Sequence, residues 1–539
     1  MSRLRREARR DFLKRLTATL AGGSAMSLLP QLRLMEAALA QEGAGGSYRA
    51  LVCVYLGGGN DSFNWLVPTD AARYGVYSTS RGGTYTGANG PLGIAQGSLL
   101  PLTMQGLPGG HSYGLHPACA DWDGIDRNGS VTAMPGLASL TSQGRVAWVA
   151  NMGTLIEPVT KATFNDPSVA KPPQLYSHND QTKLWHQGQA TANFRLGWGG
   201  QVADRVFGLN GAIAGGSKLL PMNISFSGSQ RFMVGNQVLP YQMNSCGNPN
   251  NGDQVPGLTV GSSFANCSGT TSLSGFDACG SGSDTQQQEI ALCTLLNSPG
   301  SHLFQIEHAE TMKRAMDLSA AIRSEISGAS TANPSLLTTP FRALADDQAV
   351  PGYNQIADGG NSLAEQLAMV ARLIRVRQAL GHQRSIFFVS LGGFDTHATQ
   401  MPDTGQPRLL RRVSRALGSF YRALEEMGLQ DNVTTFTMSE FARTLNSNGD
   451  GSDHGWGGVQ MVMGGSVRGG RLFGTFPDQT LNGPDCFNRG QMIPTTAMDQ
   501  YAGALAQWMG LGSSDLATIF PNLGNFTPQT LDILNPAPV

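Results

Sequence analysis

The chain lacks a surplus of positive charge: its 539 residues hold 37 Lys and Arg against 38 Asp and Glu. Residues 1–40 alone carry eight basic and three acidic side chains, so the remainder holds 29 against 35, a net charge of −6. Nucleic-acid binding would call for a basic stripe, and that balance argues against it. Long apolar runs are missing too. After residue 40 no stretch stays apolar for the roughly 20 residues of a membrane helix, so no span is expected there. The chain has neither G-x-G-x-x-G nor G-K-[ST] after its glycine-rich strand end at Gly57-Gly58-Gly59, and dinucleotide and P-loop binding lose their support. There are seven cysteines and no paired C-x-x-C knuckle, so a zinc ribbon is not expected. Cys53 sits inside an apolar run and reads as a small buried hydrophobe.

The first 40 residues have the layout of an export signal. Arg9-Arg10-Asp11-Phe12-Leu13-Lys14 gives a twin-arginine motif, Leu16–Leu29 a mildly apolar segment, and Ala38-Leu39-Ala40 small residues for cleavage. The reading is a 1–40 signal, export in the folded state, and a periplasmic or extracellular location. In such an oxidising compartment Cys246, Cys267, Cys279 and Cys293 are expected to form one or two bridges. They lie in a Gly/Ser/Asn-rich stretch, 240–300, that reads as an insertion within a single domain, 41–539.

The rest alternates apolar runs with amphipathic segments. Tyr48–Leu56, Val146–Met152, Ser385–Leu391 and Val433–Met438 read as buried strands, with Leu220–Phe226 as a further candidate. Asn361–Leu380 and Pro407–Met427 read as helices. Leu363, Leu367, Val370 and Ile374 line one face of the first, and Val413, Leu417, Phe420 and Leu424 one face of the second. A Ser362/Glu365 capping box is expected to start the first helix. This alternation specifies an α/β fold with a helix-covered, mostly parallel sheet.

Three strands then end in chemistry. Asp61 follows Gly57-Gly58-Gly59-Asn60, Asp395 and His397 follow Gly392-Gly393-Phe394, and Asp453-His454 lies in the loop after Glu440. Each alone is an ordinary turn-former. In a parallel sheet, however, the strand ends share one edge, where open α/β folds place their sites. Mixed oxygen and nitrogen ligands suit zinc, manganese or iron better than calcium. Ser177, ahead of a helical segment with Asp180 three residues on, is either a helix cap or a hydroxyl nucleophile at a helix start. Arg443 and Arg471 are candidate anion contacts, against the plainer reading of solvated surface arginines.

The motifs LGGGNDSFNWLVP (56–68), LHP (115–117), YSHNDQ (176–181), GGFDTHATQ (392–400), SEFART (439–444) and SDHGWGG (452–458) resemble the bacterial domain-of-unknown-function family 1501. The run RGQMIPTT (489–496) fits as well. The resemblance covers nearly all of the chain after the signal, except the cysteine-rich insertion. That family is grouped with the alkaline phosphatase and sulfatase superfamily. The resemblance implies an alkaline-phosphatase-like core with a metal site at its strand ends.

Carried over residue by residue, it makes Asp61, Asp453 and His454 ligands of one ion. Asp395 and His397 become ligands of another, and Ser177 the nucleophile. No histidine follows His454, so His116 and His178 are the candidates to complete the second set. The expected function is metal-dependent hydrolysis of a small phosphate or sulfate ester or an anionic glycan, with one or two zinc or manganese ions and Ser177 or water as nucleophile. The alternative is a non-catalytic exported protein that binds a surface partner or polysaccharide on the same scaffold.

Overall fold

A computed structural model describes residues 48–125, 131–190, 195–211, 221–243, 302–306, 309 and 361–535. The signal reading and the four clustered cysteines fall outside the described residues.

Strand β1 (Arg49–Leu56) forms the centre of the fold. A small three-stranded sheet follows, made of β2 (Leu66–Pro68), β3 (Leu100–Pro101) and β4 (Tyr113–Leu115), with α1 (Ala71–Ser80) between the first two. A hairpin of β5 (Trp122–Ile125) and β6 (Val131–Met134) leads through α2 (Leu137–Ser142) to β7 (Val146–Gly153). Then come α3 (His178–Gln187), α4 (Trp198–Val206), β8 (Asn223–Ser225) and β9 (Tyr241–Gln242). The last third supplies α5 (Ser362–Arg375), β10 (Arg384–Leu391), α6 (Gln406–Glu426), β11 (Val433–Met438) and β12 (Gly458–Met463). The chain closes with β13 (Arg471–Phe473), β14 (Thr496–Ala497), α7 (Met498–Met509) and α8 (Ser513–Ile519).

The main sheet has the order β13-β7-β12-β11-β1-β10-β8-β9, with β14 also on β7. β1 lies parallel to both β10 and β11. Its alternation decides the packing. Ala50, Val52, Val54 and Leu56 face the helices α5 and α6, whose Leu363, Leu367, Val370, Ile374, Val413, Leu417, Phe420 and Leu424 are all buried there. Leu51 and Cys53 face the opposite core with Val202 of α4 and Tyr501 and Leu505 of α7. A strand covered on both faces has no polar face, which is why its sequence is an unbroken apolar run.

The sheet is mostly parallel, as the alternation specifies, and two details refine the sequence reading. β12 runs antiparallel to β11 and to β7, so the sheet is mixed though mostly parallel. A parallel return needs a crossover, usually a helix. Residues 439–457 hold no helix and instead double back at the sheet edge. The cap of α5 is also one residue earlier than expected: Asn361, not Ser362, accepts the Ala364 N–H. Asn and Ser cap with the same chemistry, so composition alone does not choose between neighbours.

Candidate metal centre

The carboxyl ends of β1, β10 and β11 meet at one edge, and three loops cross there. The β1 loop turns through Gly58 at φ +119° and Gly59 at φ +80°. A Cβ on Gly58 would stand 2.3 Å from Asp395 N, so only glycine lets the β1 and β10 loops touch. The loop after β11 folds back on itself and pairs Arg443 with His454. That pairing brings the SEFART and SDHGWGG motifs together. Ser452 N–H donates to the Thr396 carbonyl, and Asn448 Nδ2 donates to the His397 carbonyl, tying this loop to the β10 end.

His178, Asp395 and His454 form a group whose ligand atoms all lie within 4.8 Å of one another. His178 Nε2 is 3.5 Å from Asp395 Oδ2, and His454 Nε2 is 3.3 Å from Asp395 Oδ1. His397 stands beside them, with Nε2 3.1 Å from Asp395 Oδ1 and 2.9 Å from His454 Nε2. Both of these rings have their other nitrogen engaged by an acceptor. His454 Nδ1 is 2.8 Å from the Tyr176 carbonyl, and His397 Nδ1 is 3.0 Å from Asp453 Oδ1. An acceptor holds the ring proton on Nδ1 and leaves Nε2 with its lone pair. Two such lone pairs at hydrogen-bond distance need a cation between or beside them, either a proton or a metal.

His178 Nε2 makes the same demand more plainly. The atom is buried and has no hydrogen-bond partner among the described residues. A buried, unpaired ring nitrogen aimed at a carboxylate and a second imidazole is the donor set of a divalent transition ion. The residues present therefore fit a metal.

Electrostatics support an ionised carboxylate there. Burial works against charge on Asp395, but the Arg443 hydrogen bond and charge, with His397 and His178, hold its carboxyl below the usual range. Arg443 is fully buried. Its Nη1 donates to Asp395 Oδ1 at 2.7 Å and to the Gly58 carbonyl at 3.1 Å, and its Nη2 donates to the Ser452 carbonyl. Asp453 is held down at about 2: burial opposes its charge, and hydrogen bonds from Asn448, His397 and Arg489 outweigh it. The hydrogen bond to Glu440 raises His178, whereas burial lowers His454.

The expected ligand sets are regrouped. Asp395 and His454 come together as ligand candidates, and His178, not His116, completes the group. His116 is buried elsewhere, its Nδ1 accepting from Ala118 N–H, and burial lowers it to about 4. Asp61 does not reach the cluster. Its carboxylate is buried and closed by Arg81 at 2.7 and 2.9 Å and by Gln400 at 2.6 Å, so the Asp61–Asp453–His454 set is not assembled. Asp453 turns its oxygens to His397, Asn448 and Arg489. Ser177 caps α3 and donates to Asp180 Oδ2 at 2.7 Å, with no hydrogen bond to the cluster among the described residues. Arg443 is buried rather than solvated. Arg471 is exposed and pairs with Ala147 at the start of β7, at the opposite sheet edge.

Glu440 and Arg489 were missed as participants. The one available signal was Glu440 itself, a carboxylate two residues past a strand without a charged residue, a place where an unpaired charge would be costly.

Residues 301–489 match the model of a family described as "Protein of unknown function (DUF1501)", which supports the resemblance drawn from the motifs. No curated protein matches the chain. Among solved structures, the chain is similar to that titled "Crystal structure of Ps i-CgsB in complex with k-i-k-neocarrahexaose". The identity is 11%, the match covers 87% of this chain and 74% of that one, and the TM-score is 0.28. A likeness at that level carries no argument about fold or function.

Proposed function

We propose that this chain is an exported metal-dependent hydrolase acting on small phosphate or sulfate esters, or on anionic glycans that carry them. The carrying observation is the convergence of His178, Asp395 and His454, with His178 Nε2 buried, facing Asp395 Oδ2 at 3.5 Å and without a hydrogen-bond partner among the described residues. These three residues would hold one divalent ion, zinc or manganese by the chemistry of the donors. A bound ion of this kind lowers the pKa of water and offsets charge that builds on the ester oxygens.

The chain's own groups divide the remaining work. Arg443 neutralises and orients Asp395 from beneath, leaving Oδ2 turned toward His178. Asp453 accepts from His397 Nδ1 and so orients its Nε2 at the half-exposed rim, where that atom can take or give a proton. Arg489, ion-paired with Asp453 and partly exposed, is a contact for an anionic ester. Because the Ser177 hydroxyl is engaged by Asp180, water is the nucleophile we favour.

That same engagement, with Asp61 taken up by Arg81, favours a second reading. A scaffold whose Asp61 is closed off by Arg81 and whose Ser177 is held by Asp180 could bind a surface partner and do no chemistry. The two readings separate on p-nitrophenyl phosphate and p-nitrophenyl sulfate. Hydrolysis of either that is lost with a chelator and restored by zinc or manganese supports the hydrolase. Metal-loaded protein inert to both supports the binding protein. For export, Arg9→Lys with Arg10→Lys should leave the precursor in the cytoplasm, and normal periplasmic processing of that variant would refute the route.

A further inference from the structure

Every group around the Glu440 carboxylate is a donor. Oε1 accepts from Gly58 N–H at 2.8 Å and lies 2.7 Å from His178 Nδ1. Oε2 accepts from the Tyr55 hydroxyl at 3.0 Å. The residue is buried, with 4% exposure, so water does not substitute for these partners. Since an ionised carboxylate only accepts, the proton between it and His178 belongs to the ring and sits on Nδ1.

Glu440 also grips the helix that carries His178. The Tyr55 hydroxyl that reaches Glu440 lies 2.6 Å from Thr182 Oγ1, and the Trp185 indole donates to the Glu440 main-chain carbonyl at 2.9 Å. His178, Thr182 and Trp185 are residues i, i+4 and i+7 of α3, one stripe on its surface. Three hydrogen bonds along one stripe fix both the rotation of the helix and its position along its axis. The stripe ends at the first helical residue, where a small rotation would carry the imidazole away from Asp395.

We infer that Glu440 is a positioning residue of the metal centre, holding His178 in the Nδ1–H tautomer with Nε2 turned to Asp395 and His454. This rests on the metal reading above. A carboxylate on the far nitrogen of a ligating imidazole fixes its orientation and raises its basicity as a donor. Gly58 has a part as well: its N–H shares Oε1, so the glycine turn after β1 sets the carboxylate that sets the histidine.

Glu440→Gln is the informative change because the amide keeps the shape and can still accept through Oε1, while the charge is gone. Zinc affinity should fall about 10–100-fold, the usual effect of removing such an outer partner. Trp185→Phe is the control, since it breaks the indole contact and loosens the helix without touching the carboxylate. Zinc would be titrated into full-length wild type, E440Q and W185F in competition with a chromophoric chelator, with thermal midpoints measured alongside. A clearly larger loss of affinity in E440Q than in W185F, although W185F has the lower thermal midpoint, supports the inference. Equal affinity in E440Q and wild type overturns it, as does an equal loss in E440Q and W185F.

A second readout does not depend on metal. In metal-free protein, at a pH where the ring is neutral, imidazole nitrogen-15 shifts assigned by comparison with His178→Gln report the tautomer. A proton on Nδ1 in wild type supports the inference, and a proton on Nε2 overturns it. If wild type binds no zinc, the metal reading fails while this tautomer measurement still decides the role of Glu440.

Discussion

Asp499, which takes no part in the metal centre, tests the electrostatic reasoning. It lies in the first turn of α7 with no solvent exposure, and neither carboxylate oxygen has a hydrogen-bond partner among the described residues. A helix start favours a negative charge by about 0.3–1 kcal/mol. Burial is the larger effect and pushes the carboxyl up to about 7; its own N–H and the Asn522 amide face it and offset this only in part. The unfolded chain releases the proton near 3.8, whereas the folded chain keeps it until about 7. Between those values the folded state binds more protons, so stability falls as pH rises through the window and then levels off. At about 1.4 kcal/mol per unit, the gap of roughly three units corresponds to a loss of ~4 kcal/mol. Asp499→Asn removes the titration. Its midpoint for chemical denaturation should match or pass wild type at pH 8 and show the smaller gain at pH 5. Parallel pH profiles for the two proteins would refute the argument.

Two further outcomes follow from the geometry near the site. Ser177→Ala should cost about 1 kcal/mol through loss of the α3 cap while keeping metal and turnover; retained metal with lost turnover would return the nucleophile role to Ser177. Gly59→Ala places a Cβ 2.5 Å from the Phe441 ring at a φ of +80°, and Phe441 stacks on His454 at 4.6 Å. It should strain the backbone by about 1–2 kcal/mol and weaken metal binding in a titration, although no ligand is changed; unaltered affinity would show that Phe441 does not transmit the shift.

The sheet was legible because its strands are buried on both faces, which leaves mostly apolar runs at β1, β7 and β10 and a charge-free Val/Thr/Phe/Met run at β11. The edge where the site forms was legible for the same reason, since parallel strands deliver their carboxyl ends together. What the sequence did not settle is how acids and bases pair once they arrive. Asp61 and Asp395 follow similar glycine turns, yet one meets a buried Arg81 and the other meets Arg443 and three imidazoles. Those arginines come from 20 and 48 positions away in the chain, and no local pattern announces them. His178 and Glu440 are likewise 262 positions apart, joined only by the docking of α3 beside β11 and β1. The direction of β12 was hidden because an apolar run reads the same both ways.

Metal content per chain, measured by elemental analysis on wild type and His454→Ala purified without chelator, tests the central claim most directly. A single divalent ion should accompany each wild-type chain. The variant should hold little or none while its circular dichroism stays unchanged. Equal content in the two proteins, or no ion in wild type after incubation with zinc or manganese, would contradict the metal centre at His178, Asp395 and His454.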